Sequence, residues 1–222
     1  MDSFDSILHR AVERKGGMAA VEALLPCARR GDELAAMPDR DFLAEMTRCV
    51  FRSGFVWKVI ENKWPGFEAA FLGFDVAGCA MLSDEDIEQL SADERIVRHA
   101  AKIRSVPANA AFIMDVRRET GGFGRYLADW PEDEIVSLWD ELKRRGSRLG
   151  GQTGRYFLRF VGKDTPILSR DVVKALIGQG IIDRVPTSKK ALARVQDAFN
   201  GWRAESGREL CQISRVLSLS VD

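Results

Sequence analysis

Residues 142–163 read LKRRGSRLGGQTGRYFLRFVGK, and the interpretation of this stretch decides the fold. It holds seven basic residues (Lys143, Arg144, Arg145, Arg148, Arg155, Arg159 and Lys163) and no acid, in a chain whose formal net charge is +0. In its middle lie Gly150, Gly151, Gln152, Thr153 and Gly154. The helical spacing before it, through Ile135, Leu138, Trp139 and Leu142, stops at Gly146, and a second short helix is expected from Arg155 to Val161. Glycine permits positive φ and lets the backbone approach a neighbour with no Cβ in the way. Amides at the start of the second helix have no partner within it and, with the helix dipole and flanking arginines, make an anion site. A phosphate of a nucleic-acid backbone suits that site. No strand precedes it, so the dinucleotide and P-loop patterns are excluded. A plain turn between packed helices beside a solvated basic face accounts for the same residues; the lack of acids favours phosphate.

Outward from the hairpin, helical spacing recurs almost throughout and alternating apolar-polar runs are missing. Phe4, Ile7, Leu8 and Ala11 form a stripe stopped by Gly16 and Gly17. A helix carrying Phe42, Met46, Cys49 and Val50 is expected after Asp39 or Asp41. Residues 55–62 continue helical to Pro65, and 66–72 form a separate short helix. Ser83 with Asp86 reads as an acidic capping box, and residues 92–116 as one long helix or two joined at Pro107. Ser169 caps the helix of Val172, Val173, Leu176 and Ile177, and Leu192, Val195, Phe199 and Trp202 share a later helix face. The fold class is all-α, a bundle of many short helices. A single unit over 1–222 is expected, with its core at about 39–180 and its hairpin at 138–161. Helices of the N-terminal residues 1–38 and the C-terminal residues 187–217 pack on that core.

Hydrophobic residues at 45% and charged residues at 30% are ordinary for a soluble globular protein. No apolar run reaches the roughly 18 residues of a membrane span. The start, MDSFDSILHRAVERKGG, carries acids where a signal peptide has positive charge, so a cytoplasmic location and no membrane contact are expected. Four cysteines (Cys27, Cys49, Cys79, Cys211) without CxxC spacing and two separated histidines (His9, His99) suggest neither disulfides nor a metal site.

The hairpin followed by ILSRDVVKAL (167–176) is similar to the helix-hairpin-helix element of base-excision DNA glycosylases. Upstream, GFVWKVIENKWPGFEAAFLGFD (54–75), MLSDEDIEQL (81–90) and RIVRHAAKIRSVPANAAFI (95–113) resemble the DNA-3-methyladenine glycosylase I family in order and spacing. The similarity covers residues 42–161. It implies a helix-hairpin-helix DNA glycosylase fold and hydrolysis of the N-glycosidic bond of alkylated purines such as 3-methyladenine in double-stranded DNA. The target base swings out of the stack into an aromatic pocket, where a cationic purine gains from the π faces.

Carried onto this sequence, the resemblance assigns Trp57, with Phe51 and Phe55, to the base pocket and leaves Trp64 in the core. Asp171, in the first turn after the hairpin, is the candidate for stabilising the sugar cation, and a first-turn Asp also simply suits the helix dipole. Cys49 stands where relatives place a base-recognising glutamate, so Glu45, one turn earlier, is the candidate carboxylate. Arg148, Gly150, Gly151, Gln152, Thr153, Gly154, Arg155 and Arg159 are the expected DNA contacts. His99 and Lys102 belong to the pocket rim or to a helix surface. Relatives tie their ends together with zinc held by Cys and His; no such set is present here, so no metal and no organic cofactor are expected. Gln152 or Thr153 occupies the place where lyase-type relatives carry a lysine, which implies a monofunctional enzyme, expected as a monomer. A non-catalytic damage-recognition protein that keeps the hairpin is the alternative, and a purely structural bundle leaves the acid-free hairpin without a role.

Overall fold

The computed structural model describes residues 1–221. Among them the chain forms fifteen α-helices and no strand. In chain order these are α1 (Phe4–Lys15), α2 (Met18–Glu22), α3 (Gly31–Ala35), α4 (Asp39–Arg52), α5 (Trp57–Ala70), α6 (Val76–Ala80), α7 (Asp84–Ala92) and α8 (Ala100–Ile103). There follow α9 (Ser105–Thr120), α10 (Phe123–Asp129), α11 (Ile135–Arg145), α12 (Gln152–Val161), α13 (Arg170–Gly178), α14 (Lys189–Ser206) and α15 (Leu210–Leu219). No helix among the described residues is long and apolar enough to cross a membrane.

Two compact units are distinguished, and one of the four points at which the chain passes from one to the other falls inside α11. One comprises residues 1–29, 131–138 and 162–222. Its apolar core joins Phe4, Ile7, Leu8 and Ala11 of α1 to Leu210, Ile213, Val216 and Leu217 of α15, with Phe199 and Trp202 of α14 buried beside them. Asp164 caps α15, its two carboxylate oxygens accepting the Leu210 and Cys211 amides at 2.9 and 2.8 Å. Burial raises the Asp164 carboxyl above the ordinary range. Ser169 caps α13 by accepting the Val172 amide, and Asp171 is exposed in the first turn of that helix.

The other unit comprises residues 30–130 and 139–161, with α4 packed against α9 and α12. Phe42, Leu43, Met46, Val50 and Phe51 of α4 are sealed in its core. Helical periodicity alone misplaced three boundaries here. The stretch 55–72 is not two helices but one, α5, with Pro65 inside it. The missing Pro65 amide costs a hydrogen bond, which the stacking of Trp64 on Phe67 and Phe74 offsets. Residues 93–99 are not helical: Asp93 ends α7, and its carboxylate accepts both the Arg95 amide and the Arg95 guanidinium. The loop lies so close over α5 that a Cβ on Gly66 would sit 2.4 Å from the Arg95 carbonyl oxygen. Pro107 is no joint either; it sits in the first turn of α9, where its amide would have had no partner. Ser83 and Asp86 do form a reciprocal capping box at the start of α7.

Candidate nucleic-acid interface and base pocket

Helix α11 closes with the Gly146 amide donating to the Leu142 carbonyl at 2.9 Å, and the chain then turns through Ser147–Gly151 into α12. That helix begins at Gln152, three residues before the expected start, so Gln152, Thr153 and Gly154 form its first turn. Their amides therefore lack intrahelical partners. Two residues in the turn take left-handed backbone, Arg148 at φ 61° and Gly151 at φ 62°. The second is free for glycine; the first is strained for a side-chain-bearing residue. A Cβ on Gly154 would lie 2.2 Å from the Leu149 carbonyl oxygen, so the tightness of the turn depends on that glycine.

Asn109 of α9 holds the turn from behind. Its Oδ1 accepts the Ser147 amide at 2.7 Å and its Nδ2 donates to the Ser147 carbonyl at 3.1 Å. The residue is buried, and nothing in the sequence marked it.

The basic run is less exposed than its sequence suggests. Arg144 pairs with Glu141 at 2.5 Å, and Arg145 pairs with Glu119 at 2.8 Å; both acids lie outside the acid-free window. Lys163 pairs with Glu132 at 3.1 Å. Arg155 is only 9% exposed, with its guanidinium 4.3 Å from the centre of the Trp139 ring, and burial lowers it to about 10. Stacked there, it supports α12 against α11 and does not reach outward, so the expectation of an Arg155–DNA contact is corrected. Arg159 is half-buried. Arg148 is exposed and makes no ion pair among the described residues. With Gly150, Thr153, Ser53 and Val50 it lines a shallow recess of about 250 Å³.

A second hollow, of about 200 Å³, shares Ser53 and Thr153 with that recess. Trp57, Tyr156 and Phe160 supply its aromatic lining, and Cys49, Arg52, Gly54 and Gln152 complete it with the two shared residues. A cavity of about 150 Å³ already takes a benzene ring, so a purine-sized ring is of the right order. Trp57 is 46% exposed and meets Tyr156 and Phe160 edge-on, with ring centres 5.8 and 6.0 Å away. Tyr156 and Phe160 were not among the expected pocket residues, although their i,i+4 spacing on α12 places them on one face.

Phe51 is fully buried, its ring packed edge-on against Phe67 at 4.6 Å. It is a core residue, and its assignment to the base pocket is corrected: α4 carries aromatics on the face turned into the core. Phe55 is partly exposed but stands beside the hollow, against Lys102 and His99.

Glu45 lies behind the lining. Its carboxylate accepts from Arg48 Nη1 at 2.8 Å and from the Cys49 thiol at 3.4 Å, and pairs with Arg52 Nη1 at 3.7 Å. Glu61 holds Arg52 from the other side, accepting Nε and Nη2 at 3.1 and 2.8 Å. Burial, and next the Glu45 charge, push the Cys49 thiol far up, so it lines the hollow as a neutral group. Lys102, 3% exposed, donates to the Phe51 and Ser53 carbonyls at the end of α4 and so fixes the segment leading to Trp57.

The zinc set of the resembling family does not fit these residues. Among the described residues the group of three potential ligands within 4.8 Å of one another is Asp164, Glu209 and Cys211, without histidine. Both Asp164 oxygens are already taken by backbone amides.

The family described as methyladenine glycosylase matches residues 35–149, more than half of the chain and up to the hairpin turn. The DNA-3-methyladenine glycosylase 1 of Escherichia coli (strain K12) is 34% identical over an alignment of 120 positions, which covers 46% of this chain and 64% of that protein. The chain thus spans under two thirds of the length of that relative. Among solved structures, the 3-methyladenine DNA glycosylase I of Staphylococcus aureus is similar over 59% of this chain and 83% of its own, at 21% identity and a TM-score of 0.50. The 8-oxoguanine DNA glycosylase of Methanocaldococcus jannaschii is similar over 94% of this chain and 90% of its own, at 15% identity and a TM-score of 0.55. At those identities the two structures show the fold alone, an all-α helix-hairpin-helix glycosylase architecture. The match from Ala35 to Leu149 establishes that the chain belongs to the methyladenine glycosylase family.

Proposed function

We propose that this chain is a monofunctional DNA glycosylase of base-excision repair, which extrudes a damaged purine from duplex DNA and hydrolyses its N-glycosidic bond. The observation that carries this reading is the hollow lined by Trp57, Tyr156 and Phe160, which shares Ser53 and Thr153 with the recess at Arg148 and Gly150 of the hairpin turn. A phosphate seated at Arg148, Gly150 and the first amides of α12 puts its own nucleotide within reach of that hollow. Family membership supports the chemistry, and the names of the relatives point to alkylated purines, 3-methyladenine first. No lysine lines the hollow, which favours hydrolysis by water over Schiff-base chemistry.

A test uses single-turnover release of base from duplexes that each carry one modified purine. Release by the wild type, with duplex affinity falling steeply between about 50 mM and about 200 mM salt, is the expected result. Arg148→Ala lowers affinity for every duplex alike and makes the salt slope shallower by about 0.9. An unchanged slope removes Arg148 from the DNA contact.

One observation favours a second reading, a damage-recognition protein without catalysis: the lining of the hollow contains no carboxylate. Tight, salt-dependent binding of damaged duplexes without release of any base selects that alternative.

A further inference from the structure

We infer that Lys143 is a second phosphate contact of the hairpin, so that the turn grips two neighbouring phosphates of one strand, one at Arg148 and one at Lys143. The inference deepens the glycosylase reading and rests on it for the choice of duplex DNA as the ligand.

Folding sorts the seven cations of residues 142–163 into two groups. Five are paired or withdrawn: Arg144 lies on Glu141, Arg145 on Glu119 and Lys163 on Glu132, Arg155 is buried against Trp139, and Arg159 is half-buried. Lys143 and Arg148 are exposed, and neither makes an ion pair among the described residues. One comes from α11 and the other from the turn, and they meet at Gly150. Arg148 lines the shallow recess together with that glycine. The stem of Lys143 lies along it: a Cβ on Gly150 would stand 3.2 Å from the Lys143 Cγ and 3.7 Å from its Cδ. The absent side chain of Gly150 thus makes room for a methylene chain laid on the turn. A lysine stem packed in this way keeps its ammonium in water, two bonds beyond the last packed carbon.

Two like charges with no acid to pair them repel each other, and an anion beside each relieves that repulsion. A DNA strand carries one charge per roughly 3.4 Å of helix axis, so cations that flank a single glycine face neighbouring phosphates and not distant ones. A compact ammonium suits an exposed phosphate, which asks for a point charge and not a two-pronged donor. Lys143 lines neither the recess nor the hollow, so its part is to hold the duplex and not to break the bond.

The test titrates a labelled duplex carrying one tetrahydrofuran abasic-site analogue, between about 50 mM and about 200 mM salt, with unchanged melting of each variant as the folding control. Lys143→Ala is expected to make the salt slope shallower by about 0.9, and the double variant with Arg148→Ala by about 1.8. Across that range the wild type then loses about 3.5-fold more affinity than Lys143→Ala does. Lys143→Arg is expected to restore the wild-type slope. Arg144→Ala removes a charge already paired, and is expected to change the slope by less than about half as much. Release of 3-methyladenine from methylated duplex saturated with protein is expected to keep its wild-type rate in Lys143→Ala. A wild-type slope in Lys143→Ala, an equal change in Arg144→Ala, or slowed release from the saturated duplex overturns the Lys143 contact and leaves the glycosylase reading standing. Duplex affinity of the wild type that does not respond to salt defeats that reading and this inference together.

Discussion

Two tryptophans seven residues apart on α5 each carry an arginine from α4 over their ring, and they live in opposite environments. Arg48 lies 3.8 Å from the centre of Trp64, which is buried, stacked against Phe67 and Phe74, and donates its indole N–H to Glu68 at 3.0 Å. Arg52 lies 4.9 Å from the centre of Trp57, which opens into the hollow beside Tyr156 and Phe160. Glu45 connects the pairs, holding Arg48 and reaching Arg52. The same residue types thus occupy two settings: where the ring is sealed, the arginine closes a core; where it is open, the arginine lines a hollow. Burial, and not residue type, separates structural aromatics from functional ones.

The largest effect follows from breaking that symmetry. Trp64→Ala leaves a cavity among Phe67, Phe71 and Phe74 and is expected to cost about 3–5 kcal/mol in urea unfolding. Trp57→Ala removes a half-exposed ring, so stability should change by only about 1 kcal/mol or less, while base release collapses. Equal destabilisation by the two substitutions, with no separate loss of release by Trp57→Ala, would erase the distinction between core and pocket.

The hairpin offers a smaller effect of the same kind, since Asn109 is a buried residue whose product is the shape of an exposed turn. Asn109→Ala leaves the Ser147 amide and carbonyl without their partners, at an expected cost of about 1–3 kcal/mol. Duplex affinity should fall with it, because Arg148 and Gly150 follow directly on Ser147. Asn109→Ala with wild-type stability and wild-type affinity shows that the turn holds its shape without the clamp.

What was legible in the chain divides along the same line. The hairpin could be read because glycine chemistry is local: Gly151 needs left-handed backbone and Gly154 needs contact with Leu149, and both needs show within five residues. Trp57 was placed by family resemblance, not by its spacing, which equally suits a core position. The neutralisation of Arg145 was invisible in a window of consecutive residues, since Glu119 comes from α9 and reaches it through folding, whereas Arg144 pairs with Glu141, one position before the window. Arg155 reads as a surface cation until Trp139, sixteen positions earlier, is seen beneath it. The missed loop at 93–99 has a local cause, the Asx turn of Asp93, masked by apolar residues that keep helical spacing on either side. Aspartate before a charged pair is a stop signal that periodicity does not register.

The smallest effect concerns Lys102, which belongs to the sealed side yet controls the open one. Its ammonium caps the last carbonyls of α4, where positive charge is favourable, but it is buried under Phe55. Burial first, and the nearby Arg148 charge second, lower it from 10.5 to about 8. Between those two values the unfolded chain still holds a proton that the folded chain has released, so this residue's contribution to stability rises with pH across that window. Below pH 8 both states are protonated and the contribution is flat. Lys102→Met lacks the group, and the buried thiols of Cys49 and Cys79 titrate alike in both proteins and cancel in the difference. Urea unfolding of the pair is therefore expected to show the wild type gaining on the variant by on the order of 1 kcal/mol as pH climbs through the window. Parallel stability curves would mean that the Lys102 ammonium stays charged throughout, and that Arg148 stands too far from it to be felt.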